Sequence, residues 1–140
     1  MKIPTTAALA GAMLLAATTS SIAQSTIRSL PPSNYAIEAY VAQIGYHDLY
    51  NSSGVPLGNP WEVLRQDRAN FHRFGVRDIF DQPDSFFANA GNRAIMENML
   101  SHGSITGQAA RDIMSGQAMV LVEIRGYGSV GRELHVTVAR

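Results

Sequence analysis

The side chains best equipped for chemistry crowd into residues 61–84. Trp61, Arg65, Arg68 and His72 recur at spacings of four, three and four, which puts them on one stripe of a helix turning about 100° per residue. Two guanidiniums, an imidazole and an indole edge make a shelf for a phosphate, a carboxylate or a sugar ring. Arginine offers a planar fork of donors and tryptophan a face for stacking. The structural alternative is Arg68 stacked on Trp61 and paired with an acid from another segment, with His72 a solvated residue at the helix end.

On the same helix Asp67 falls in the arc of Val63, Leu64, Phe71 and Phe74 and so faces the core. A carboxylate taken out of water needs a partner, an arginine or a cluster of loop N–H groups. Asp67 therefore either pins the loop after Gly75 or orients a histidine or arginine in a site. His72 and Asp67 are the catalytic candidates. Paired with His47 or His135 and steadied by Arg68, His72 could run metal-independent acid–base cleavage of a phosphodiester.

Other layouts are excluded. There is no Gly-x-Ser-x-Gly elbow, no His-Glu-x-x-His and no glycine loop followed by Lys and Ser or Thr. Asp78, Asp81 and Asp84 resemble calcium ligands only in number, since acids at alternate positions and a turn glycine are lacking; turn and cap hydrogen bonds suit them better. His47-Asp48 is a lone pair without a second histidine at helical spacing. No metal and no cofactor are expected. Four of the five tyrosines lie between Tyr35 and Tyr50, where they suit an interface, a glycan platform or the core. The phenylalanines between Phe71 and Phe87, with Met96 and Met99, read as core.

The elements that must position these groups are legible in part. Asn59, Pro60 and Glu62 give a cap, a first helical position and a capping box, and Gly75 a stop, for a helix over 60–74. Upstream, Ile37, Tyr40, Val41 and Ile44 follow a helix stripe over 34–44, although the aromatic and β-branched residues there would also suit a strand. The period and the alanines favour helix. A short strand is expected near 46–50, a third helix over 90–101 and a fourth from Thr106 to Ser115. A hairpin of strands 117–125 and 132–139 ends the chain, joined through Gly126, Gly128 and Gly131. The expected class is α+β: three or four short helices followed by a C-terminal antiparallel hairpin, extended by the strand near 46–50.

Residues 1–23 carry one cation, an apolar stretch and the small-residue end Ser21-Ile22-Ala23, the three-part layout of a secretory signal; 24–33 read as an extended lead-in and 34–140 as one domain. No later stretch approaches the ~20 apolar residues of a membrane helix. Of 140 residues, 11 are basic and 11 acidic, a balance that argues against a nucleic-acid partner. Hydrophobic residues at 46% argue against disorder, and the absence of cysteine excludes disulfides, zinc ribbons and thiol nucleophiles. Every cation beyond Lys2 is arginine.

The reading is an exported, periplasmic or extracellular, soluble binding domain without an identifiable catalytic motif. Its expected partner is an anionic small molecule, a glycan or an acidic protein surface, met by Trp61, Arg65, Arg68 and His72. One alternative is a small secreted hydrolase acting on phosphodiesters or glycans. Another is a homo-oligomer joined through the hairpin edge at Val120 to Ile124.

Overall fold

The computed structural model describes residues 33–140. The expected signal segment at 1–23, and the lead-in at 24–33 apart from Ser33, lie outside the described residues. The fold is α+β, with four helices on one face of a four-stranded mixed sheet. In chain order the elements are β1 (Tyr35–Ile44), a 3-10 turn (Tyr46–Leu49), α1 (Pro60–Ala69) running into a π-helical turn (Asn70–Phe74), α2 (Ala90–Ala94), α3 (Met96–His102), β2 (Ser104–Ile105), α4 (Gly107–Ser115), β3 (Ala118–Tyr127) and β4 (Val130–Val138). The sheet order is β1-β3-β4-β2; only the short β2 runs parallel to its neighbour β4.

The hairpin of β3 and β4 is present, but it is not the whole sheet and the helices do not precede it as a block. The segment expected to be helical, residues 34–44, is instead a strand. Tyr40, Ala42 and Ile44 are buried while Val41 and Gln43 between them are half-buried, the alternation of a pleated strand. Tyr40 opposes Val122, Ala42 opposes Val120 and Ile44 opposes Ala118. The helix stripe and the strand face share Tyr40 and Ile44, and pairing with β3 decides between them because it suits aromatic and β-branched side chains. The strand expected near 46–50 is the 3-10 turn, since Asp48 Oδ2 accepts a hydrogen bond from Gly45 N at 2.9 Å and folds the chain back.

The edge once open at Val120 to Ile124 is closed on both sides, by β1 and by β4. That removes the physical ground for oligomerisation through this strand. The outer edge of β1 is covered too. Val41 exchanges hydrogen bonds with Gln82, donating to Gln82 Oε1 and accepting from Gln82 N, and Gln43 N donates to Asp81 Oδ1.

The core sits between the sheet and the helices. Val120, Val122, Ile124, Leu134 and Val136 meet Val63 and Leu64 of α1, Met96 and Met99 of α3 and Ile113 of α4. Phe71, Phe86 and Phe87 are buried, but Phe74 and Phe80 face outward, so only part of the phenylalanine run is core. The expected third helix is broken at Ile95 into α2 and α3. At the end of the π-helical turn, Gly75 adopts φ +70°, a left-handed conformation that costs a glycine little and stops the helix there.

Candidate functional site

α1 begins where the sequence places it. Glu62 Oε2 accepts hydrogen bonds from Gly58 N and Asn59 N, each at 3.0 Å, and the Gly58 bond foremost holds its carboxyl below the usual glutamate range. The inward face of the helix is then Val63, Leu64, Asp67, Arg68 and Phe71. Arg68 lies one turn beyond Leu64 and follows it inward, so it is wholly buried rather than on the solvent stripe.

Two of the three nitrogens of the Arg68 guanidinium are hydrogen-bonded. Nε donates to Asp67 Oδ2 at 2.7 Å, and Nη1 donates to Asp84 Oδ2 and to the Gln82 carbonyl, each at 3.0 Å. Nη2 lies 3.9 Å from Asp81 Oδ1, too far for a hydrogen bond. The cation stands 4.3 Å from the Tyr40 ring centre and 4.6 Å from that of Phe71. Asp84 Oδ2 also meets His72 Nε2 at 2.9 Å, and Asp84 Oδ1 accepts from Phe87 N. Burial, opposed by Arg68, pushes Asp67 up to about 8. Burial works against the Arg68 charge as well, but Asp67, Tyr40 and the bonds to Asp67 and Asp84 hold its pKa above the ordinary arginine value. Arg68 therefore stays charged and Asp67 is the group that takes up a proton. The cluster fastens the loop over 82–87 to α1. The expected role of Asp67 in pinning that loop is carried by its neighbour.

The other stripe residues open on different surfaces. Trp61 lines an apolar groove of about 260 Å³ with Leu100 and Ile105. Arg65 lines a second groove, of about 310 Å³, between α1 and α2, which it shares with Gln66, Arg73, Arg93 and Ser52. His72 is mostly covered and bound to Asp84. The structure brings Arg68 and His72 together through Asp84, and separates both from Trp61 and Arg65.

The second groove has a distinctive charge. Three arginines line it and no carboxylate does. Arg93 is committed on one side, donating from Nη1 to the Phe87 and Ala88 carbonyls. Arg65 and Arg73 are exposed and make no ion pair among the described residues. Arg73 falls within the crowded run of residues 61–84; Arg93, on a different helix, carried no local signal.

Of the histidines, His47 Nε2 lies 3.6 Å from Asp48 Oδ1 and 3.4 Å from Asp78 Oδ2. Asp48 is buried, with Oδ1 accepting from Asn70 Nδ2 at 2.7 Å. Burial first of all raises both carboxyls above the usual aspartate range. His47 also borders a groove of about 280 Å³, and Ser52, Gln66 and Phe74 line both this groove and the arginine groove. His135 is elsewhere, on the sheet face away from the helices, between Ser104 Oγ at 2.8 Å and Glu133 Oε2 at 3.2 Å. These contacts join neighbouring positions of β2 and β4. His72 thus meets neither His47 nor His135 in these contacts. Asp78, Asp81 and Asp84 do not converge either: Asp81 accepts from Gln43 N and Asp78 N, Asp84 serves Arg68 and His72, and Asp78 faces His47.

No family model, no curated protein and no solved structure matches the chain. Function must be argued from these sites alone.

Proposed function

We propose that the chain is an exported binding domain for an anionic ligand, held in the arginine groove between α1 and α2. The single observation that supports this reading is the acid-free lining of that groove by Arg65, Arg73 and Arg93. Unpaired guanidiniums on a concave surface favour phosphate or carboxylate oxygens, which each fork can bind through two parallel N–H donors. Ser52 adds a neutral hydroxyl to the lining, while Gln66 Nε2 already donates to Asn70 Oδ1. Relative to the expectation from sequence, the shelf keeps Arg65 and exchanges Trp61, Arg68 and His72 for Arg73 and Arg93. The export part of the reading rests on residues 1–23 alone. Hydrolysis has less support, because His72 is covered and engaged with a carboxylate that also serves Arg68.

A thermal-shift panel tests the reading, with inorganic phosphate, heparin, a muramyl glycan and an acidic peptide as probes. A probe at 100 times its dissociation constant adds about 2.7 kcal/mol, enough to move the melting midpoint by several degrees. The expected result is a shift with at least one anionic probe that disappears in the double variant Arg65→Ala, Arg73→Ala. A shift retained in full by that variant would place the anion elsewhere and overturn the proposal.

A further inference from the structure

We propose that His47, Asp48 and Asp78 bind one divalent transition-metal ion, zinc being the best fit, through three protein ligands with a fourth position left to solvent. The arrangement goes beyond the arginine groove and does not depend on it.

The three donors come from two separated parts of the chain and converge. His47 and Asp48 stand on the 3-10 turn after β1, and Asp78 on the loop after the π-helical turn; one ligand atom from each lies within 4.8 Å of the others. His47 Nε2 is 3.4 Å from Asp78 Oδ2 and 3.6 Å from Asp48 Oδ1. Both distances are beyond good hydrogen bonds. They are close to the edges of a tetrahedron around zinc, which run to roughly 3.3–3.6 Å for ligand bonds of 2.0–2.2 Å.

Two further observations point to a ligand. Asp78 Oδ2 is shielded from solvent yet has no hydrogen-bond partner, and it faces His47 Nε2. Asp48, only 1% exposed, is held in place by hydrogen bonds from Gly45 N to Oδ2 and from Asn70 Nδ2 to Oδ1, the second leaving Oδ1 a further lone pair for an ion. Such outer hydrogen bonds hold a ligating carboxylate in place. Gly45 leaves room for the third ligand, because a Cβ there would come within 2.8 Å of Asp78 Oδ2. One imidazole and two carboxylates suit zinc in charge and in donor type. The His47 side chain is 41% exposed and borders the groove of about 280 Å³, the side from which an ion could enter. The competing arrangement is a protonated His47 serving as counter-ion to the two aspartates.

The test is isothermal titration of the full-length protein, stripped with a chelator, with zinc chloride, and with magnesium and calcium chlorides as comparisons. The expected result is one saturable zinc site per chain. His47→Ala and Asp78→Asn should each weaken it at least tenfold, while His135→Ala and the Arg65→Ala, Arg73→Ala double variant leave it unchanged. The last comparison separates failure of this site from failure of the anion groove. Cobalt(II) substituted at the site should give the intense visible bands of tetrahedral coordination. An ion pair only, recognised by no saturable zinc binding in the wild type, overturns the proposal. So does zinc binding that survives in both ligand variants.

Discussion

Arg68 and Asp84 stand sixteen positions apart and are joined by a buried bond of 3.0 Å from Nη1 to Oδ2. Through it α1, its inner face already turned to the sheet, also holds the loop that covers the edge of β1. The same Asp84 reaches His72 and Phe87 N, so one carboxylate coordinates the helix, the π-helical turn and the loop.

Removing Arg68 should therefore damage the fold. Arg68→Ala leaves the Asp84 carboxylate buried without its cation, a change of the kind that costs about 3–5 kcal/mol. Arg68→Lys should recover only part of this, because one ammonium cannot reproduce bonds to Asp67, Gln82 and Asp84 together. Urea unfolding of the three proteins measures both effects. A variant Arg68→Ala as stable as the wild type would show that the cluster contributes nothing net.

Asp67 should make the folded protein less stable as pH rises. Burial raises its carboxyl from 3.8 to about 8 in the folded protein. A raised carboxyl contributes stability that is complete below the unfolded pKa and is lost as pH rises through the folded one. Across the window from about 4 to about 8, the unfolded chain gives up this proton and the folded chain keeps it. Asp67→Asn retains an oxygen to accept from Arg68 Nε and removes the titration. The melting midpoint of the variant relative to the wild type should rise between pH 5 and pH 8. A constant difference across that range would mean that Asp67 titrates alike in both states.

What the sequence could show follows from the range of each interaction. The cap and stop of α1 are local, made by Asn59, Pro60, Glu62 and Gly75 with their near neighbours, and they were legible. The burial of Asp67 was legible as well, because helical periodicity alone turns it toward Val63 and Leu64. β1 was not, since Tyr40 and Ile44 satisfy both periods and the choice belongs to β3, which begins at Ala118. Arg68 lies where the solvent stripe meets the core arc, and its partners Gln82 and Asp84 come from a loop without periodicity. Neither the arginine groove nor the His47, Asp48, Asp78 cluster is local. Arg93 reaches the groove from α2 and Asp78 reaches His47 across the fold, so no spacing could announce either.

The loop over β1 has a second fastening that can be tested alone. Glu38 sits beside the bulge between Ala36 and Glu38, and its carboxylate accepts from Ser85 N at 2.8 Å, Ser85 Oγ at 3.0 Å and Phe86 N at 3.0 Å. Hydrogen bonds to a charged acceptor contribute about 1.5–3 kcal/mol. Glu38→Ala should accordingly speed amide exchange at Ser85 and Phe86 by roughly ten- to a hundredfold, the rate ratio that such a loss implies for local opening. Amides in the middle of β3 should change less. Uniform acceleration across the sheet would show instead that the loop and the core open as one unit.

The last prediction turns on the contrast among arginines of one helix and its extension. Arg68 is buried and holds Asp67, Asp84 and the Gln82 carbonyl through Nε and Nη1, whereas Arg65 and Arg73 line the groove with no ion-pair partner among the described residues. Changing either of the latter to alanine removes no buried contact, and surface changes of that kind stay within about 0.5 kcal/mol. Anion binding should nevertheless weaken with each substitution and, in the wild type, weaken as salt is raised, because exposed charges are screened beyond about 8 Å at physiological ionic strength. Titration calorimetry at low and moderate salt, beside urea unfolding of the same variants, reads both quantities. Lost binding with preserved stability locates the ligand on Arg65 and Arg73. Lost stability in either variant would assign that arginine to the scaffold, and salt-insensitive binding would mean that the ligand is held by shape rather than by charge.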